Sequence, residues 1–127
     1  MKKYVGKHCI FDLYLTPNCD SLFKPSEFMK AMEESCLEVG ASVMSRECHQ
    51  FGEQYGYTFT LILAESHASC HTWPEYGLAT FDIFMCGDCD PFKAREIFMK
   101  KLKDRILKSV ETNIMRGEYD EVSDGNV

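Results

Sequence analysis

The sequence predicts an α+β fold: a two-layer sandwich in which a mainly antiparallel sheet carries two helices on one face. Three observations carry this expectation. Apolar residues follow the order strand, helix, several strands, helix, strand. The 127 residues amount to one ordinary domain, read as 1–117 followed by a flexible acidic tail at 118–127. Hydrophobic residues make up 45% and charged residues 27%, so the chain has a core to bury and is not disordered.

Each element has its own signal. Tyr4 to Leu15 is rich in Ile, Phe, Leu and Tyr and ends in Pro17-Asn18, which predicts a first strand and a turn. Ser26 after Pro25 reads as a helix N-cap, and Phe28, Met29, Met32, Cys36 and Val39 then recur at helical spacing up to Gly40. Ala41 to His49 and Tyr55 to Ala64 read as strands joined by a hairpin through Gly52. A further strand begins near His67, and another spans Tyr76 to Cys86. Pro91 opens a second helix with Ile97, Phe98, Leu102 and Ile106 on its apolar face, and Ser109 to Arg116 closes the fold as a strand. A sheet with one helical face leaves the other face open, and pairing with a second copy is the expected way to cover it.

Charge and composition narrow the function. Fourteen basic residues against twenty acidic ones give a net charge of -6, the wrong sign for a nucleic-acid partner. The longest apolar runs, such as Phe59 to Ala64, fall far short of a membrane span, and Met-Lys-Lys is followed by no apolar signal core. A cytoplasmic protein without a membrane partner is expected. Seven cysteines (Cys9, Cys19, Cys36, Cys48, Cys70, Cys86 and Cys89) are an odd number and read mostly as buried thiols rather than a disulfide framework.

Chemically capable residues concentrate in Glu65-Ser66-His67-Ala68-Ser69-Cys70-His71-Thr72-Trp73-Pro74-Glu75-Tyr76-Gly77, with Cys86 at the end of the next strand. A nucleophile, a base and an acid are all available there. Cys86 and Cys89 have CxxC spacing, and Cys70 with His71 would complete a tetrahedral set, yet no second ligand pair supports zinc. No βαβ context precedes CGDC to support a thioredoxin-like role. No metal is expected.

The segment LAESHASCHTWPEYGLATFDIFMCGDCDPFKA resembles the signature of the short prokaryotic S-adenosylmethionine decarboxylases, self-cleaving pyruvoyl enzymes of polyamine synthesis. ESH, HTWPEYG, Asp82 to Phe84 and Cys86-Gly87 match that pattern, and GKH (Gly6 to His8), Gly40-Ala41 and His49 to Phe51 fall in the family's order. The likeness spans about residues 4 to 117. It implies a proenzyme whose Ser66 hydroxyl attacks the Glu65 carbonyl and, after ester formation, elimination and hydrolysis, becomes a pyruvoyl group, giving chains 1–65 and 66–127. That carbonyl condenses with the substrate amine and accepts the electrons left when carbon dioxide departs, so no pyridoxal phosphate is needed.

The same resemblance implies the remaining roles. His71 exchanges protons in processing, Thr58 offers a processing hydroxyl, and Cys86 returns a proton to the substrate carbon. Phe51 stacks on adenine and Glu75 holds the ribose hydroxyls. It also implies a homodimer that joins Ser66 and Cys86 of one protomer to Phe51, His71 and Glu75 of its partner, with S-adenosylmethionine as the small-molecule substrate. Trp73 reads as packing support. Thr58-Phe59 stands where the family usually has Ser-Gly, Met85 replaces a common Thr, and Leu78 and Phe92 replace Tyr and Trp. A Phe59 ring aimed into the pocket, together with a connection one residue longer than the family's before the cleavage site, would favour a smaller amino acid, ornithine or arginine. The third reading is a regulatory homologue that does not process.

Overall fold

The structure is a computed structural model that describes residues 1–17 and 19–121. Its elements run β1 (Lys2–Leu15), α1 (Pro25–Glu38), β2 (Val43–Gln50), β3 (Tyr57–Leu63), β4 (Ser66–Trp73), β5 (Leu78–Cys86), α2 (Pro91–Leu102) and β6 (Ile106–Asp120). The strands form one antiparallel sheet in the order β2-β3-β4-β5-β1-β6. The α+β expectation holds.

Period-two alternation decides which side each residue faces. Cys9, Phe11, Leu13 and Leu15 of β1, Tyr57, Phe59, Leu61 and Leu63 of β3, and Ala79, Phe81, Ile83 and Met85 of β5 are all buried toward the helices. Helix α1 lies over β2 and β3, helix α2 lies over β1 and β5, and the helices touch each other, so both occupy one face. Phe11, Phe81, Phe28 and Phe98 close that layer as one aromatic cluster. Phe11 stacks on Phe81 at 5.0 Å, and Phe98 meets Phe81 at 4.9 Å and Phe28 at 6.0 Å. The opposite face carries His8, Ile10, Asp12 and Tyr14 of β1 beside Ile114, Thr112, Val110 and Lys108 of β6, and among the described residues no helix covers it.

Four local expectations need correction. Helix α1 is capped by Lys24 without a side-chain bond, and Pro25, not Ser26, sets its start by taking the first helical turn. Ile106 is not on the α2 face; it opens β6, and α2 starts on Asp90, whose carboxylate accepts from the Phe92 and Lys93 amides. Strand β6 runs beyond Arg116 to Asp120, so residues 118–120, expected in the flexible tail, pair with Tyr4, Lys3 and Lys2. Strands β2, β3 and β5 begin about two residues later than read, at Val43, Tyr57 and Leu78. Asn18 of the first turn and residues 122–127 of the tail lie outside the described residues. Among the described residues no helix is long and apolar enough to cross a membrane.

Candidate active site

Strands β3 and β4 are joined by Ala64 and Glu65 alone, with Leu63 opposite Ser66. So tight a hairpin demands positive φ. Glu65 supplies it at φ 61, the one non-glycine residue to do so among the described residues. The left-handed conformation costs a β-carbon-bearing residue roughly 1–2 kcal/mol. The turn is held in place by the Ala64 amide, which donates to the Ser42 carbonyl at 2.9 Å.

Cys86, at the end of β5, faces this turn. Its amide donates to Ser66 Oγ at 3.2 Å, and its thiol donates to the Glu65 carbonyl oxygen at 3.1 Å. Glu65, Ser66 and Cys86 thus meet around a single peptide bond.

A second group forms at the far end of β4. His71 is paired with Thr58 across the β3–β4 ladder, and Thr58 Oγ1 lies 3.0 Å from His71 Nδ1. Phe51, Tyr55, Thr58, His71, Trp73 and Glu75 surround a pocket of about 540 Å³ there. That volume suits a small ligand. Gly56 in its floor is required by close approach, since a β-carbon would stand 2.1 Å from the Thr72 carbonyl oxygen. His71 lies five residues from Ser66 along β4, about 16 Å at ~3.3 Å per residue. Within one chain the two groups do not meet.

Of the departures from the family pattern, Thr58 lines the pocket and holds its hydroxyl against His71, whereas Phe59 and Met85 lie outside it. Phe59 is fully buried on the helix side and stacks on Tyr57 at 6.2 Å, and Met85 is buried on that side as well. Trp73, expected as packing support, is 39% exposed in the single chain and lines the pocket wall, with its ring 6.0 Å from that of His71.

The cysteines divide as their surroundings dictate. All seven are free, and Cys9, Cys19, Cys36 and Cys70 are buried. Burial pushes the Cys9 thiol up to about 11 and that of Cys36 up to about 12, and holds Cys70 well above the ordinary range. Cys70 points into the core while His71, its neighbour on the strand, points out. Those two therefore cannot converge with Cys86 and Cys89 on one ion. A different set has metal-like spacing: ligand atoms of His8, His67 and Asp82 lie within 4.8 Å of one another on the uncovered face. The sequence contains these residues within GKH, ESH and the Asp82 motif, but nothing in their spacing brings them together.

The family described as S-adenosylmethionine decarboxylase matches residues 7–117. An S-adenosylmethionine decarboxylase proenzyme of Thermosipho melanesiensis is 39% identical over 121 residues, covering 94% of this chain and 90% of the relative. The proenzyme of that name from Pyrobaculum islandicum is 40% identical over 108 residues, covering 83% and 84%. The crystal structure of the adenosylmethionine decarboxylase from Aquifex aeolicus superposes with a TM-score of 0.81 at 30% identity, covering 96% of this chain and 98% of the other.

Proposed function

The chain belongs to the S-adenosylmethionine decarboxylase family, and from that membership we propose that it is a proenzyme that cuts itself between Glu65 and Ser66 and decarboxylates S-adenosylmethionine, supplying the aminopropyl donor for spermidine. The carrying observation is the pair of hydrogen bonds that Cys86 makes to the two reacting groups, Ser66 Oγ and the Glu65 carbonyl oxygen.

Processing begins when Ser66 Oγ attacks the Glu65 carbonyl carbon. The new C–O bond replaces the C–N bond, and Ser66 nitrogen leaves as an amine. The Cys86 thiol lies where negative charge develops on the carbonyl oxygen, as an oxyanion donor must. Strain at Glu65 raises the starting state, which helps a step that breaks the turn. Loss of the Ser66 α-proton then expels the Glu65 carboxylate, and water releases ammonia to leave the pyruvoyl group. These residues fit that group: the serine hydroxyl, the carbonyl and a thiol donor share one corner of the sheet. Once formed, the group supplies an electron sink for the bond to the departing carboxylate.

The other half-site provides recognition. Phe51 offers an exposed flat ring for adenine, and the Glu75 carboxylate can accept two ribose hydroxyls. Thr58 orients His71 for proton exchange during processing. Because Ser66 and His71 are about 16 Å apart in one chain, we assign the complete site to a homodimer in which each uncovered sheet face meets its partner. Ile10, Val110 and Ile114 are among the apolar residues such a contact would cover. Phe59 lies in the core, so its ring gives no ground for a smaller substrate.

The intact mass under denaturing conditions tests this reading. Two fragments, 1–65 and a pyruvoyl-blocked 66–127, are expected. One full-length chain that persists on long incubation would count for the regulatory homologue.

A further inference from the structure

Four polar side chains form a hydrogen-bonded row across β6, β1, β5 and β4 on the uncovered face. Arg116 lies 2.9 Å from His8 Nδ1, His8 Nε2 lies 2.8 Å from Asp82 Oδ2, and His67 Nε2 lies 2.8 Å from the same oxygen. Proton positions in this row follow from chemistry. A guanidinium has only donors, so His8 Nδ1 accepts and the His8 proton sits on Nε2, aimed at Asp82. His67 donates to that carboxylate from its own Nε2. Both imidazoles flank the Phe84 ring, at 5.8 Å and 6.0 Å. A cation on these three residues would need a lone pair on His8 Nε2, and Arg116 places a proton there instead.

The end of the row shows what it holds. His67 directly follows Ser66, and its backbone nitrogen forms the amide with the Ser66 carbonyl. This inference rests on the self-processing reading: once Ser66 is converted, the electron-accepting group is an acyl cap on the His67 nitrogen, at a newly made chain end. Free chain ends fray unless tied down. His67 is the first unconverted residue after the cut, and its side chain is tied to Asp82.

We propose that Asp82, braced by Arg116 through His8, is a positioning residue that anchors His67 and so fixes the plane of the electron-accepting group carried on its amide nitrogen. Delocalisation requires that plane to stay aligned with the bond being broken, and small misplacements reduce rate steeply without weakening substrate binding. Asp82 touches neither the reacting atoms nor the pocket residues.

The test compares Asp82→Ala, Asp82→Asn and His8→Ala with wild type, measuring the cleaved fraction, kcat per titrated pyruvoyl group and KM. The proposal expects Asp82→Ala to lower kcat by about tenfold or more, with KM within about twofold and cleavage near wild type. Asp82→Asn, which keeps an acceptor for His67, should recover part of the loss, and His8→Ala should show a smaller fall in kcat alone. Wild-type kcat in Asp82→Ala overturns the proposal, as does an equal loss in Asp82→Ala and Asp82→Asn. If Asp82→Ala fails to fold or cleave, His8→Ala decides: unchanged kcat per pyruvoyl group counts against the row. A wild-type chain that never cleaves overturns the processing reading itself, and this inference with it; a wild type that cleaves and turns over beside indifferent variants overturns the inference alone.

Discussion

The Cys86 thiol reaches the Glu65 carbonyl oxygen at 3.1 Å, so the last residue of β5 touches the very group whose conversion would split the chain. Replacing Cys86 with Ala removes this donor but keeps the amide bond to Ser66 Oγ. A single hydrogen bond contributes about 1 kcal/mol, so cleavage should slow by roughly tenfold or less yet still proceed. Turnover of the cleaved product should fall much further, because Cys86 is also assigned the proton returned to substrate. Cys86→Ser, which retains a donor, should process faster than Cys86→Ala. Equal cleavage rates on denaturing gels for wild type and Cys86→Ala would remove the thiol from the first step.

Two inactive variants should rescue each other. Ser66→Ala loses the nucleophile and His71→Ala loses the proton-exchange group, and the structure holds the two positions about 16 Å apart along β4. In a mixed dimer, one site combines the intact Ser66 of the His71 variant with the intact His71 of the Ser66 variant. Co-expression should then cleave the His71→Ala chain, which stays whole when expressed alone. Failure of rescue in an isolated mixed dimer would argue that the half-sites do not join across the interface.

Trp73 is the only tryptophan and lines the pocket, so its fluorescence should report ligand binding. Phe51→Ala should raise KM about tenfold, within the ~1–3 kcal/mol that stacking a base on an aromatic ring contributes. Phe59→Leu, a core change on the opposite face, should leave KM within about twofold. A large KM change in Phe59→Leu would restore the case for an altered substrate.

Stability should fall in acid through three carboxylates. Burial pushes the Asp82 carboxyl up, but hydrogen bonds from His67 and His8 outweigh it and leave the group below its ordinary value. Hydrogen bonds from Arg105 and Ser21 lower Glu27, and one from Arg46 lowers Glu33. Each group is more acidic folded than unfolded. Its stabilisation is therefore complete above about pH 4 to 5, where the unfolded chain has ionised, and is lost as pH falls through the lower folded values. Urea midpoints measured from pH 6 to pH 3 should decline, and Asp82→Asn should flatten that decline. An unchanged slope in the variant would show that Asp82 carries none of it.

Much of the fold was legible because burial in it is periodic. Strand β1 alternates Cys9, Phe11, Leu13 and Leu15 inward, and α1 repeats Phe28, Met32 and Cys36 at helical spacing. Strand β6 extends past its sequence signal because its residues are mostly exposed and mixed in character, and pairing with β1 sets its length. The motif placed Ser66, His71 and Cys86 in the site, but it could not divide them between two ends of a sheet. Least legible was the row from Arg116 to His67: Arg116 and His8 are 108 positions apart and meet only because β6 and β1 pair.

The proposed cut between Glu65 and Ser66 would have a consequence for the life of the molecule. Residues 1–65 contain β1, α1, β2 and β3, and the rest of the chain contributes β4, β5, α2 and β6. In sheet order the two pieces interleave, with β2 and β3 from the first, β4 and β5 from the second, then β1 from the first and β6 from the second. Three ladders stitch them together, so scission alters the covalent map while the architecture persists. Refolding, however, changes its molecularity. The precursor folds as one chain, whereas the separated pieces must first find each other in solution, with a yield that depends on concentration. Self-cleavage would thus turn one folding chain into a two-chain assembly, whose endurance would rest on the height of its unfolding barrier.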